Sequence, residues 1–175
     1  MTSRTKRLAY LSDIFGGRID LVIPNRARTA AYVKESDVVI GAVLVAGAKA
    51  PKLVSREMVA SMRPGSVVVD VAIDQGGCVE TARPTTHSDP TYVEEGVIHY
   101  CVANIPGAVA RTSTLALASV TLPYLVKIAN QGVEGAVVAD PVLAKGLSTL
   151  GGNLVSEPVA EAHDLSWSPP EQILS

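Results

Sequence analysis

The stretch DVVIGAVLVAGAKAPKLVSREMVASMRPGSVVVDVAIDQGG, residues 37–77, decides the fold class. It holds two apolar runs, Asp37 to Val43 and Ser66 to Ile73, that are apolar at nearly every position. A strand with one wet face alternates apolar and polar residues. A continuous run suits a strand buried on both faces, as in a parallel sheet covered by helices. Between the runs, Ser55 stands where a helix N-cap belongs and Pro64-Gly65 marks the helix end. Strand, helix, strand is a βαβ unit, so the class is α/β.

Working outward, the pattern repeats. Gly16-Gly17 closes a short leading helix as a left-handed cap, and RIDLVI (18–23) follows as a strand. Asn25 caps the helix before residue 37, and GVIHYCV (96–102) is a fourth strand. Beyond Pro106 the chain turns Ala/Leu/Gly-rich. A long helix is expected from Val109 to Gln131, containing Pro123 and closed by Gly132. A shorter one starts at Asp140-Pro141, EPVAEAHDL reads as another, and SWSPPEQILS as a surface tail. The expected division is 1–105, the strand-bearing part, and 106–175, the helical part.

Composition narrows the function classes. Fifteen Lys and Arg against seventeen Asp and Glu, a formal charge of −2, argue against a nucleic-acid partner. Hydrophobic residues reach 47% with only 4% aromatic, so the core is built of Val, Ala, Leu and Ile. The run Val38 to Ala48 falls short of the roughly 18 residues a membrane span needs, and no membrane partner is expected. The basic start has no continuous apolar run of a signal peptide. Cys78 and Cys101 have no zinc or CxxC spacing and read as small packing residues. These features imply a soluble, cytoplasmic protein.

In doubly wound sheets, ligands sit beyond the carboxyl ends of the strands. Three segments fall there: the apolar turn Gly41 to Gly47, Asp74-Gln75-Gly76-Gly77, and Ala103-Asn104-Ile105-Pro106-Gly107. Asp74 has two readings, a carboxylate that moves protons or a turn cap on the Gly76 or Gly77 amide. His99, in an apolar strand, reads as a buried, hydrogen-bonded histidine, and Lys49 and Lys52 as residues of a solvated loop. The sequence contains no GxGxxG, Walker loop, GxSxG or HExxH. A dinucleotide-type sheet without its first glycine turn reads as a chain that begins partway through a fold.

IGAVLVAG (40–47), DQGG (74–77), RPTTH (83–87), CVANIPGAV (101–109) and AKGLSTLGGNLVSEPVAEAH (144–163) together resemble the carboxyl-terminal half of the alanine dehydrogenases. The likeness runs from about Lys6 to Ser175. It implies a partial Rossmann-type parallel sheet, strands three to six of the usual order, followed by a helical remnant of the substrate domain. It also implies NAD as cofactor and oxidative deamination of L-alanine to pyruvate, ammonium and NADH. Carried over by motif, Asp74 is the catalytic carboxylate. Cofactor contacts fall on Arg7, Val43, Leu44, Val71, Ala72, Ile73, Asp74, Arg83, Val102, Ala103, Asn104 and Ile105. Thr2 stands near the position of the acidic residue that holds the adenosine ribose. The family's magnesium positions read Lys127 and Gln131, so no metal site carries over. The related transhydrogenases share the fold but not the Asp of DQGG.

Strands one and two lie in the middle of the order 3-2-1-4-5-6. Strand four, residues 37–43, is therefore expected to present an open apolar edge, and RIDLVI to lack its neighbours. The partner implied is a polypeptide supplying the amino-terminal half, or self-association through that edge. Without such a partner the chain is expected to be catalytically incompetent. A non-catalytic binding or interaction module and a transhydrogenase-like hydride carrier are the alternative readings.

Overall fold

A computed structural model of the chain describes residues 5–45 and 48–173. It divides into two units: one holds the residues up to Val43 with Pro51–Ala103, the other Leu44–Ala50 with Asn104 onward.

The first unit carries the sheet, in the order β1-β2-β4-β3. β1 (Val38–Gly41), β2 (Val67–Asp70) and β4 (Val97–Tyr100) are parallel, Val38 lying opposite Val67 and Val67 opposite Ile98. β3 (Thr91–Glu94) runs antiparallel to β4, and the two-residue turn Glu95-Gly96 joins them. Both turn residues have positive φ, 54° and 75°, the twist that matches a two-residue hairpin. This hairpin is absent from the sequence reading, which took the residues after Gly77 as a long loop. Its signal was the β-branched and aromatic run Thr91-Tyr92-Val93 before a glycine turn.

RIDLVI is the reverse case. Arg18–Ile23 forms no strand, and Ile19 and Ile23 stay exposed. A β-branched run becomes a strand only by pairing, and the four places in this sheet belong to other segments. The flanking helices form as expected. α1 (Thr5–Phe15) ends at Gly16 and Gly17, both at positive φ, and α2 (Arg26–Glu35) is capped by Asn25 Oδ1, which accepts from the Arg28 amide at 2.8 Å. α3 (Arg56–Ala60) is capped by Ser55 and buries Met58 and Val59.

These residues, with Val33, Val54, Met62, Val68, Ile73, Val79, Val97 and Val102, make a small-residue aliphatic core. β1 departs from burial on both faces: Val38 and Ile40 are exposed, 53% and 66%. It forms the open apolar edge foreseen for it.

In the second unit a 3-10 turn (Ile105–Val109) leads into α4 (Ala110–Ala139). Pro123 is accommodated within α4, whereas Gly132 (φ 72°, ψ 170°) leaves helical geometry and divides it. The part beyond Gly132 buries Ala136 and Val137. α5 (Pro141–Gly146) packs on α4 and is capped by Asp140, which also pairs with Lys127. A hairpin of β5 (Thr149–Leu150) and β6 (Asn153–Leu154) precedes α6 (Glu157–His163). Leu115, Leu117, Val120, Leu122 and Leu125 of α4 are exposed. Ile105–Ala139 is long and apolar enough, by length and composition alone, to cross a membrane. The expectation drawn from the shorter run at 38–48 overlooked this segment. A helix that packs inside a larger soluble protein has the same composition.

Candidate functional site

β1, β2 and β4 are parallel, so their carboxyl ends lie on one edge of the first unit's sheet. Val43 is half-buried just beyond β1. Beyond β2, Val71 is 48% exposed, Ala72 and Ile73 are buried, and Asp74 is exposed. Beyond β4, Val102 is buried and Ala103 exposed. Three strand ends thus present apolar side chains and one carboxylate along a single rim.

Asp74 sits in a 3-10 turn (Ile73–Gln75) that Gly76 ends at φ 89°. The Gly76 and Gly77 amides donate to the Ile73 and Ala72 carbonyls, both at 3.0 Å. Those are the amides the turn-cap reading gave to Asp74. Gln75 Oε1 is buried with no hydrogen-bond partner in the structure.

The residue that shapes this loop is one the sequence reading passed over. Asp70, the last residue of β2, is fully buried. Its Oδ1 accepts from the Ala72 amide at 3.0 Å, and its Oδ2 accepts from the Cys78 and Val79 amides at 2.8 and 3.0 Å. A carboxylate removed from water needs such partners, and here the loop supplies them. The signal was present: a charged residue interrupting the apolar run SVVVDVAI. Lys52 is exposed in a loop, as expected, and also donates to the Gly76 carbonyl at 2.7 Å and the Val79 carbonyl at 3.2 Å.

Cys78 packs against Asp70, its thiol 3.6 Å from Oδ1. Burial, reinforced by the Asp70 charge, pushes this thiol up to about 11. Burial likewise raises Cys101. Both stay protonated near neutrality, which suits packing rather than nucleophilic chemistry.

Arg83 stands between Ala82, which borders the space at Gly77, and Thr85, which bridges to Val102 beyond β4. Its guanidinium sits 3.9 Å from the Tyr92 ring centroid, and its amide donates to the Tyr92 hydroxyl at 2.8 Å. Tyr92 stacks on His99, centroids 4.9 Å apart, and donates to the Thr81 carbonyl. His99 is fully buried, as its apolar strand suggested. Its Nδ1 lies 2.9 Å from the Val97 carbonyl, which can only accept, so Nδ1 donates there, and its Nε2 lies 2.7 Å from the Thr81 hydroxyl. Burial pushes Tyr92 up to about 12.

Arg7 is on α1, its guanidinium over the Tyr10 ring at 4.9 Å. Leu44 (78% exposed), Asn104 and Ile105 belong to the second unit, where Asn104 takes a left-handed conformation (φ 54°) before the 3-10 turn. Thr2 and the Ala46-Gly47 end of the apolar turn lie outside the described residues.

The family described as alanine dehydrogenase/PNT, C-terminal domain matches residues 1–157. An alanine dehydrogenase of Methanococcus maripaludis is 59% identical over 98% of this chain and 46% of its own length. One of Geobacillus stearothermophilus is 54% identical over 97% and 45%. Among solved structures, an L-alanine dehydrogenase superposes with a TM-score of 0.79 at 50% identity, over 93% of this chain and 45% of its own. A transhydrogenase from Sinorhizobium meliloti does so at 0.57 and 31%, over 77% and 36%. The chain therefore spans about half the length of the relatives it matches.

Proposed function

Because the chain belongs to the alanine dehydrogenase/PNT C-terminal domain family, we propose that it forms the nicotinamide-facing half of an NAD-dependent alanine dehydrogenase. The reaction is L-alanine, NAD and water to pyruvate, ammonium and NADH. The observation that carries this reading is Asp74: an exposed carboxylate on a braced turn, beside the exposed apolar Val71, at the carboxyl end of a parallel strand.

The residues present fit one end of the dinucleotide. Within the first unit, the half-buried Val43 and the exposed Val71 and Ala103 offer apolar contacts for a flat ring, whereas Ala72, Ile73 and Val102 are buried. The orphaned Gln75 Oε1 is an acceptor awaiting an N–H group, and leaving it unmet costs about 1–3 kcal/mol. Arg7 and Arg83 are the cationic contacts. Gly41 and Gly77 leave no room for a diphosphate, since the space at Gly41 is closed by Cys78 and that at Gly77 by Asp70 and Ile73. The diphosphate and substrate-carboxylate contacts then belong to an amino-terminal half, in the same polypeptide or a second one. In this assignment 1–105 is the dinucleotide-binding part and 106–175 the helical part of the substrate domain.

NAD, when bound, supplies the hydride acceptor. Asp74 takes and returns protons at its carboxylate as water adds to the imine carbon and ammonium leaves. The test is complementation. The 175-residue chain is mixed with the amino-terminal half of the Methanococcus maripaludis relative, and L-alanine-dependent NADH is followed. NADH production that falls about 10²–10⁴-fold in Asp74→Asn, with the complex still formed, is the expected result. No NADH at any ratio from a complex that assembles overturns the reading. The transhydrogenase likeness supports a second one, hydride exchange between two nucleotides. NADPH-dependent reduction of an NAD analogue without alanine is the result that selects it.

A further inference from the structure

We propose that Asp70 and Lys52 are positioning residues that together fix the loop bearing Asp74, one gathering its N–H groups and the other its carbonyls. The inference rests on the reading of Asp74 as the proton-transferring group.

Residues 71–79 leave β2 and return to the core at Val79. From the buried side, Asp70 holds the amides of Ala72, Cys78 and Val79, at both ends of the loop. From the exposed side, the Lys52 ammonium holds the Gly76 and Val79 carbonyls. Asp74 lies midway between the anchors at Ala72 and Gly76, on a single turn of 3-10 helix. One turn has little stability of its own, so its geometry is set by what grips its ends.

The glycines follow from the same device. A Cβ on Gly77 would stand 2.8 Å from Asp70 Oδ2, and one on Gly41 would meet the Cys78 sulfur. The space at Gly77 is thus required in large part by the Asp70 carboxylate. Proton transfer is sensitive to such placement: an error of about 1 Å costs on the order of 100-fold in rate.

Two measurements test the proposal. In the 175-residue chain, amide hydrogen exchange reads the clamp directly. Asp70→Asn keeps the side chain's shape but turns an NH₂ toward the Ala72 amide in one orientation and toward both the Cys78 and Val79 amides in the other. Exchange at Ala72, Cys78 and Val79 is expected to accelerate about tenfold or more, while Ile98, in the neighbouring strand β4, is unchanged. Lys52→Met, a surface change, is expected to loosen the Gly76 and Gly77 amides in the same selective way, and carries the test if Asp70→Asn does not fold. Equal acceleration at Ile98, or none in the loop, overturns the clamp.

In the complemented enzyme, both variants are expected to lower kcat about 100-fold while KM for L-alanine and NAD stays within about twofold, and Lys52→Arg to recover most of the loss. A raised KM with kcat intact, or a loss tracking the folded fraction alone, overturns the positioning role. If the unmodified complex oxidises no alanine, the functional reading fails, and hydrogen exchange still decides the clamp.

Discussion

At the scale of single residues, the loop after β2 shows two aspartates four positions apart doing different things. Asp70 is buried and bonded to three amides, whereas Asp74 is exposed on the turn they brace. The motif made Asp74 legible in the sequence. Asp70 was equally visible as a letter, but its role depends on Cys78 and Val79 folding back onto it, which no local pattern encodes. Gly77→Ala tests this crowding. Its positive φ costs an alanine about 1 kcal/mol, and the clash with Asp70 adds about 1–3 kcal/mol of overpacking. Urea denaturation is expected to show the sum as a lower midpoint.

Alkaline pH probes the buried Cys78 thiol and the half-buried Tyr92 phenol. Cys78 rises from 9.0 to about 11 and Tyr92 from 10.0 to about 12, both because burial disfavours the anion. The folded chain holds these protons more tightly than the unfolded one. Their contribution to stability is therefore intact below pH 9.0 and declines as the pH climbs towards about 11 and 12. Thermal melts from neutral to alkaline pH should fall through that window, and Cys78→Ala should flatten its lower part. An unchanged slope in that variant counts against the assignment.

At the scale of elements, most signals that act within a few residues were read correctly. Asn25, Ser55 and Asp140 each cap the helix that follows, and Gly16 and Gly132 stand at a helix end and a helix break. Pro64-Gly65, expected to end α3, instead forms a separate turn beyond its actual end at Ala60. The cap at Asn25 is worth about 1 kcal/mol, so Asn25→Ala should lower the melting temperature and Asn25→Gly far less. Equal effects of the two would show that the side-chain bond is not what matters. Strand identity was less legible. Arg18–Ile23 has strand composition without a partner, while Thr91–Glu94, more polar, pairs with β4 because its turn returns it there. Composition proposes a strand, and a neighbour decides it.

At the scale of the whole molecule, the chain leaves much apolar surface bare. Val38 and Ile40 line the β1 edge, and Leu115, Leu117, Val120, Leu122 and Leu125 line α4. Patches of this kind mark surfaces that another chain segment covers. The purified 175-residue chain is expected to self-associate, to bind a hydrophobic dye and to melt broadly. Adding the amino-terminal half should sharpen the melt and displace the dye. A monomer with a sharp melt and no dye signal would show that these surfaces need no cover. By itself the sequence determined the α/β class, the helix starts, the aliphatic core and the loop that holds Asp74, since caps, glycine turns and apolar runs act over a few neighbouring residues. Only the tertiary structure decided which runs became strands, that Asp70 and Lys52 grip that loop, and which apolar faces stayed open. Pairing, burial and charge placement depend on residues distant along the chain, and those meet only once it has folded.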